Sequence, residues 1–243
     1  MLLFFILVLL LLIISISILI ITLSKIPKKG RITMTEAIKY GMTNEFVNSL
    51  RISYKKDDDL KEIIAKLLDK FGTHDYPIPV ENILRAMGFS IFASNTLEPN
   101  ISAFIAVDDK LIKDFNNNKI VVANKNDSVE HQRFAIAHEI AHWIFDCKDQ
   151  NRFYDTYNTD TDHTNIPTEY RANKFAAELM MPTSDFIDYI NTMKKNEGIS
   201  NNEIINNTST YFGAPKTAVA RRLKETGLTD LLKKTGYEYV LEN

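Results

Sequence analysis

Residues 133–147 read RFAIAHEIAHWIFDC. The run is apolar almost throughout, yet His138, Glu139 and His142 sit in its middle. Ionisable groups buried without partners cost several kcal/mol each, so something must hold them. On an α-helix each residue advances about 100°, which puts His138 and His142 about 40° apart on one face, one turn from each other. Glu139 falls within the same arc of roughly 100°, near enough to reach a water held there. This is the H-E-x-x-H pattern, in which two imidazoles ligate one zinc ion and the carboxylate is the general base. A plain core helix with its histidines bonded to backbone carbonyls would leave the buried Glu139 unexplained.

A catalytic zinc takes a third protein ligand and keeps one position open. The helical pattern TEYRANKFAAELMMP offers Glu169, 27 positions after His142. Its apolar stripe, Ala172, Phe175, Ala176, Leu179 and Met180, has the i, i+3, i+4, i+7, i+8 spacing of a one-sided helix. Glu169 precedes Ala172 by three residues and so lies within about 60° of that face. Glu178 is a rival carboxylate, but nine residues from Glu169 means a rotation of about 180°, expected to point outward. Asp162 and His163, in the preceding loop, are further rivals.

Outward from these helices, the 243 residues carry a net charge of −2, with 29 basic and 31 acidic side chains. That balance gives no bulk-charge affinity for nucleic acid. One cysteine, Cys147, excludes an internal disulfide. Residues 1–24 are different material: through Leu23 the only polar side chains are Ser15, Ser17 and Thr22. About 20 apolar residues span a bilayer as a helix. A signal peptide would want a basic start and a small-residue cleavage site, and neither is present. Lys25, Lys28, Lys29 and Arg31 follow the run, which orients the span with its N-terminus outside and the remainder cytoplasmic. The expected organisation is a transmembrane anchor (1–24), a juxtamembrane linker (25–59), a metallopeptidase domain (60–230) and a C-terminal tail (231–243).

Within the linker, Ile38, Met42, Phe46 and Leu50 suggest one weak amphipathic face. Helices are expected over 60–72 and 80–87, each stopped by a glycine, and strands over 89–94, 102–107 and 119–124. The zinc helix runs from Val129 to Phe145. The polar stretch DQNRFYDTYNTDTDHTN after it reads as a loop, and further helices are expected near 183–196, 200–211 and 215–224. The fold class is α+β, a zincin-like domain with a small antiparallel or mixed sheet.

RFAIAHEIAHWIF followed by EYRANKFAAELMMP resembles the ImmA/IrrE family of zinc metallopeptidases, and PIPVENILRAMGFSIF and KIVVAN resemble its lead-in helix and strands. The likeness covers about residues 60–228. It implies one Zn²⁺ held by His138, His142 and Glu169, with Glu139 catalytic. It also implies an endopeptidase whose protein substrate is a cytoplasmic regulator such as a helix-turn-helix repressor. The membrane span is a departure from that family.

Two readings from other classes compete. A metal-bearing, inactive sensor would act by binding alone. A membrane-tethered DNA-binding regulator would use the C-terminal helix pair, with Arg221, Arg222 and Lys224 on its second helix, although that pair more simply closes the domain. An intramembrane protease is a weaker third reading, because it needs the motif inside a spanning helix and the apolar stretch around it is too short. Tyr170 and His163 are candidate donors to an oxyanion. Cys147 is expected to pack, and His74 and His131 to be ordinary surface or helix-end residues. Nothing in the sequence bears on oligomeric state.

Overall fold

The computed structural model describes residues 42–147, 152–158, 167–196 and 198–241. The expected span, residues 1–24, lies outside them, as do Asp162 and His163. Among the described residues no helix is long and apolar enough to cross a membrane.

The chain opens on α1 (Asn44–Ser53), capped by Thr43 Oγ1 accepting from Phe46 N. This helix falls inside the segment expected as linker, yet its Val47 and Leu50 join the main core together with Met42. Next come α2 (Asp59–Phe71), ended by Gly72 at φ 74°, and α3 (Val80–Ala86). The sheet strands β1 (Ser90–Ser94), β2 (Ile101–Asp108) and β3 (Lys119–Asn124) follow, with the short α4 (Ile112–Phe115) between the last two. The zinc-motif helix is α5, Val129–Phe145. The stretch expected to be a loop contains a fourth strand, β4 (Arg152–Asn158), which is a correction to the sequence reading. The C-terminal part is helical: α6 (Pro167–Met180), α7 (Thr183–Met193), α8 (Asn201–Phe212) and α9 (Lys216–Glu225), closed by 3-10 turns at Thr229–Leu232 and Glu238–Leu241.

The sheet has the order β1-β3-β2-β4, with β1 parallel to β3 and the other pairs antiparallel. Side-chain alternation divides its two faces. Ile105, Val107, Val121 and Ala123 join the main core with α5. Phe104, Ala106, Ile120 and Val122 point the other way, into a smaller cluster with Phe92, Leu97 and Leu111. Both faces are covered, so these strands read as continuous apolar runs rather than alternating ones.

Helix α5 lies between sheet and helices. Ser128 caps it by accepting from His131 N at 3.2 Å, and all twelve residues from Phe134 to Phe145 are buried. It packs against α6 on one side and β2, β3 and β4 on another. Arg133 ties its first turns to two distant segments: Nη2 donates to Ile78 O at 2.6 Å and Nε to Gly213 O at 3.2 Å. Gly213 sits at φ 61°, and a Cβ there would come within 2.9 Å of both Arg133 Nε and Pro77 Cβ, so the turn requires glycine twice over. At the other end, Arg51 of α1 donates from Nε to Ile144 O (2.5 Å) and from Nη2 to Trp143 O (3.2 Å), satisfying carbonyls that a helix C-terminus leaves open.

Candidate metal centre

His138 and His142 project from one face of α5, and Glu169 reaches them from the first turn of α6. The close approach follows from sequence: Ala172 and Ala176 are fully buried on α6, and small side chains let two helix backbones near each other. His138 Nε2 lies 2.9 Å from His142 Nε2. Glu169 Oε2 is 3.1 Å from the first nitrogen, and its Oε1 is 3.3 Å from the second. One ligating atom from each residue falls within a 4.8 Å cluster. Glu139, on the same turn, is fully buried.

The opposite nitrogens are held by oxygens. Asn173 Oδ1 is 3.1 Å from His138 Nδ1, and Asp146 Oδ2 and Asp155 Oδ2 each lie 3.0 Å from His142 Nδ1. Asp146 is itself fixed by Arg171, whose Nη2 donates to Oδ1 at 2.5 Å. An acceptor at Nδ1 keeps the proton there and turns the Nε2 lone pair toward the facing residue. Two lone pairs and a carboxylate then converge on a space that only a proton or a cation makes favourable. The charge balance agrees. Burial pushes His138 down to about 4 against the pull of Glu169. Burial also disfavours the charged His142, but its bonds to Asp146 and Glu169 outweigh this and raise it to about 10. Glu169 is also disfavoured by burial, yet the two histidines hold it well below the usual carboxylate range. With nitrogen and oxygen donors and fixed outer partners, these residues fit a divalent ion such as zinc.

The structure thus brings together His138, His142, Glu169 and Glu139. Glu178, expected to face outward, is instead buried with Arg222, whose Nη2 donates to its Oε2. The wheel angle was right for α6 alone, but α9 covers that side. Arg222 also donates to Met181 O, from Nε at 3.1 Å, and so is removed from any nucleic-acid surface. Tyr170 is exposed, with Lys174 Nζ 5.5 Å over its ring. His131 Nε2 is 2.9 Å from Ser102 Oγ, His74 meets Asp69 at the surface, and Cys147 is buried.

Sequence reasoning missed Asp146, Asn173, Arg171 and Asp155. The first two were within reach, since Asp146 lies four residues after His142 and Asn173 four after Glu169, each one turn along the same face. Asp155 gives no such signal, because the strand that carries it is set by pairing with β2 and not by a local pattern.

The peptidase family described as the IrrE N-terminal-like domain matches residues 86–224, more than half of the chain and all of the cluster above. No curated protein matches the sequence. Among solved structures, a Mycobacterium tuberculosis transcriptional regulator is similar at 15% identity with a TM-score of 0.45, over 79% of this chain and 52% of that one. The chain spans about half the length of that protein.

Proposed function

The chain belongs to the IrrE N-terminal-like peptidase family, and from that premise we propose that it is a zinc-dependent endopeptidase. The observation that carries the proposal is the convergence of His138, His142 and Glu169 within 4.8 Å beside a buried Glu139. Of the donors present, His138 and His142 through Nε2 and Glu169 through a carboxylate oxygen would hold the ion. When bound, zinc supplies Lewis acidity, lowering the pKa of water at the site to about 7 and polarising the scissile carbonyl. Glu139 takes the proton of the attacking water and passes it to the leaving amine. Asn173, Asp146 and Asp155 keep both imidazoles in the ligating tautomer, and Arg171 keeps Asp146 in place. Among the described residues strand β4 is an edge of the sheet, and it carries Asp155 to His142, so a peptide in extended form can add along that edge and present its backbone to the site.

The proposed setting is the inner face of a membrane, supported by the apolar residues 1–24 and the basic residues after them. The proposed substrate is a cytoplasmic regulatory protein such as a helix-turn-helix repressor, supported by the resemblance of the paired motifs.

Glu139→Gln tests the chemistry. It is expected to leave zinc bound at one ion per chain by metal analysis and to reduce peptide hydrolysis by at least about 100-fold, the scale of losing a general base. A Gln variant that keeps the full biological effect would instead favour the sensor reading.

A further inference from the structure

A cavity of about 440 Å³ opens between α5, α6, α9 and the last 3-10 turn. It adjoins the metal centre. Its wall includes Asn173, whose Oδ1 meets His138 Nδ1, and Tyr170, the neighbour of Glu169 in the chain. Its charge is one-sided. Glu225 is the lining carboxylate, and it is already shared: Oε1 meets Lys174 Nζ at 3.1 Å and Oε2 meets Arg222 Nη1 at 3.1 Å. Two further cations line the space. Lys224 Nζ donates to the Val240 carbonyl at 3.0 Å, which binds it without neutralising it. Arg221, one turn back on α9, is exposed, and among the described residues it has no carboxylate partner.

We propose that this cavity is a subsite for an acidic side chain of the peptide substrate, read by Arg221 and Lys224. The inference rests on the peptidase reading and names the substrate chemistry it selects. A carboxylate entering here gains charge-assisted hydrogen bonds from Arg221 and Lys224, while its aliphatic stem lies against Phe134. The same basic residues favour a peptide over nucleic acid. Phosphate-backbone binding draws on several cations across an open surface. Here Arg222 is buried on Glu178, and the other two line a concavity rather than an open surface.

The test uses the full chain in detergent micelles, zinc-loaded and carrying Glu139→Gln. Binding is read by fluorescence anisotropy with a dye-labelled nonapeptide alternating alanine and glutamate. Its glutamine and lysine twins and a dye-labelled DNA duplex complete the set. The glutamate peptide should bind at least about tenfold tighter than the glutamine twin, the scale of one charge-assisted hydrogen bond. Arg221→Glu with Lys224→Glu should reverse the preference toward the lysine twin, with an unchanged melting temperature reporting an intact fold. Equal binding of the glutamate and glutamine peptides, or a preference that survives the double substitution, overturns the subsite. So does a duplex that binds and is the one probe lost on charge reversal. A separate arm offers the wild-type chain a pool of peptides from digested whole-cell protein. If charge selectivity is present and no peptide in the pool is cut, the subsite stands and the peptidase reading falls.

Discussion

His142 is the residue on which most of the site depends, because its two nitrogens face opposite demands. Nε2 must present a lone pair, and Nδ1 must therefore keep its proton, which Asp146 and Asp155 secure from 3.0 Å each. Asp146→Asn should weaken zinc binding by about 10- to 100-fold, measured by competition with a chromogenic chelator, because the amide can orient its NH₂ against the imidazole N–H. If affinity is unchanged in both Asp146→Asn and Asp155→Asn, these carboxylates do not orient the ring. A second residue-scale case lies outside the site. Arg222 and Glu178 form a buried ion pair between α9 and α6, with side chains 6% and 9% exposed. Removing one charge leaves the other stranded, so Arg222→Met should cost about 3–5 kcal/mol in urea denaturation. Adding Glu178→Leu should restore most of it. These partners show what single residues do not reveal in sequence. The angle of Glu178 on α6 was readable, but the helix that would cover it was not.

At the scale of elements, α5 and α6 were legible and β4 was not, and the reasons differ. Helix α5 announces itself by a long apolar run around the H-E-x-x-H residues, and its bounds in the structure are the expected ones. Helix α6 carries a one-sided stripe that survives into the core, since Ala172, Phe175, Ala176 and Leu179 are all fully buried. Strand β4, RFYDTYN, mixes charges with aromatics and lies among turn-forming residues, as edge strands do when they avoid further pairing. Its pairing is set by β2, through registers such as Val107 with Phe153 and Ile105 with Asp155, and no local pattern encodes that. The α5–α6 contact also makes the most specific element-scale prediction. Ala176 is fully buried on α6, so Ala176→Leu overpacks the core against that helix and should cost about 1–3 kcal/mol. It should also weaken zinc binding, because Glu169 rides on the displaced helix. Ala177→Leu, on a half-buried position next to it, should leave zinc affinity closer to wild type. Equal zinc affinity in wild type and Ala176→Leu would mean that Glu169 is placed independently of that packing.

For the whole molecule, the question is whether the metal holds the fold or the fold holds the metal. One apolar core runs from Met42 in front of α1 to Val240 in the last turn, and it packs α2, α3, α7, α8 and α9, none of which supplies a candidate ligand. The cluster of His138, His142 and Glu169 joins only α5 and α6, which also meet through Phe145 and Phe175 with ring centroids 5.7 Å apart. The fold should therefore persist without zinc, unlike small zinc domains that unfold when the ion is removed. It should nonetheless be weaker, because two buried imidazoles and the partly buried Glu169 then face one another without the charge that reconciles them. Zinc at a thousandfold its dissociation constant adds about 4.1 kcal/mol by mass action. At about 2–4 °C per kcal/mol for a chain of this size, chelation should lower the melting temperature by roughly 8–16 °C and leave a single cooperative transition. Glu139→Gln should keep that increment, since it removes a proton acceptor and no candidate ligand. Glu169→Ala should lose most of it. Should chelation abolish the transition altogether, the core is subordinate to the ion. Should it leave the melting temperature untouched, His138, His142 and Glu169 do not hold a metal in the folded protein.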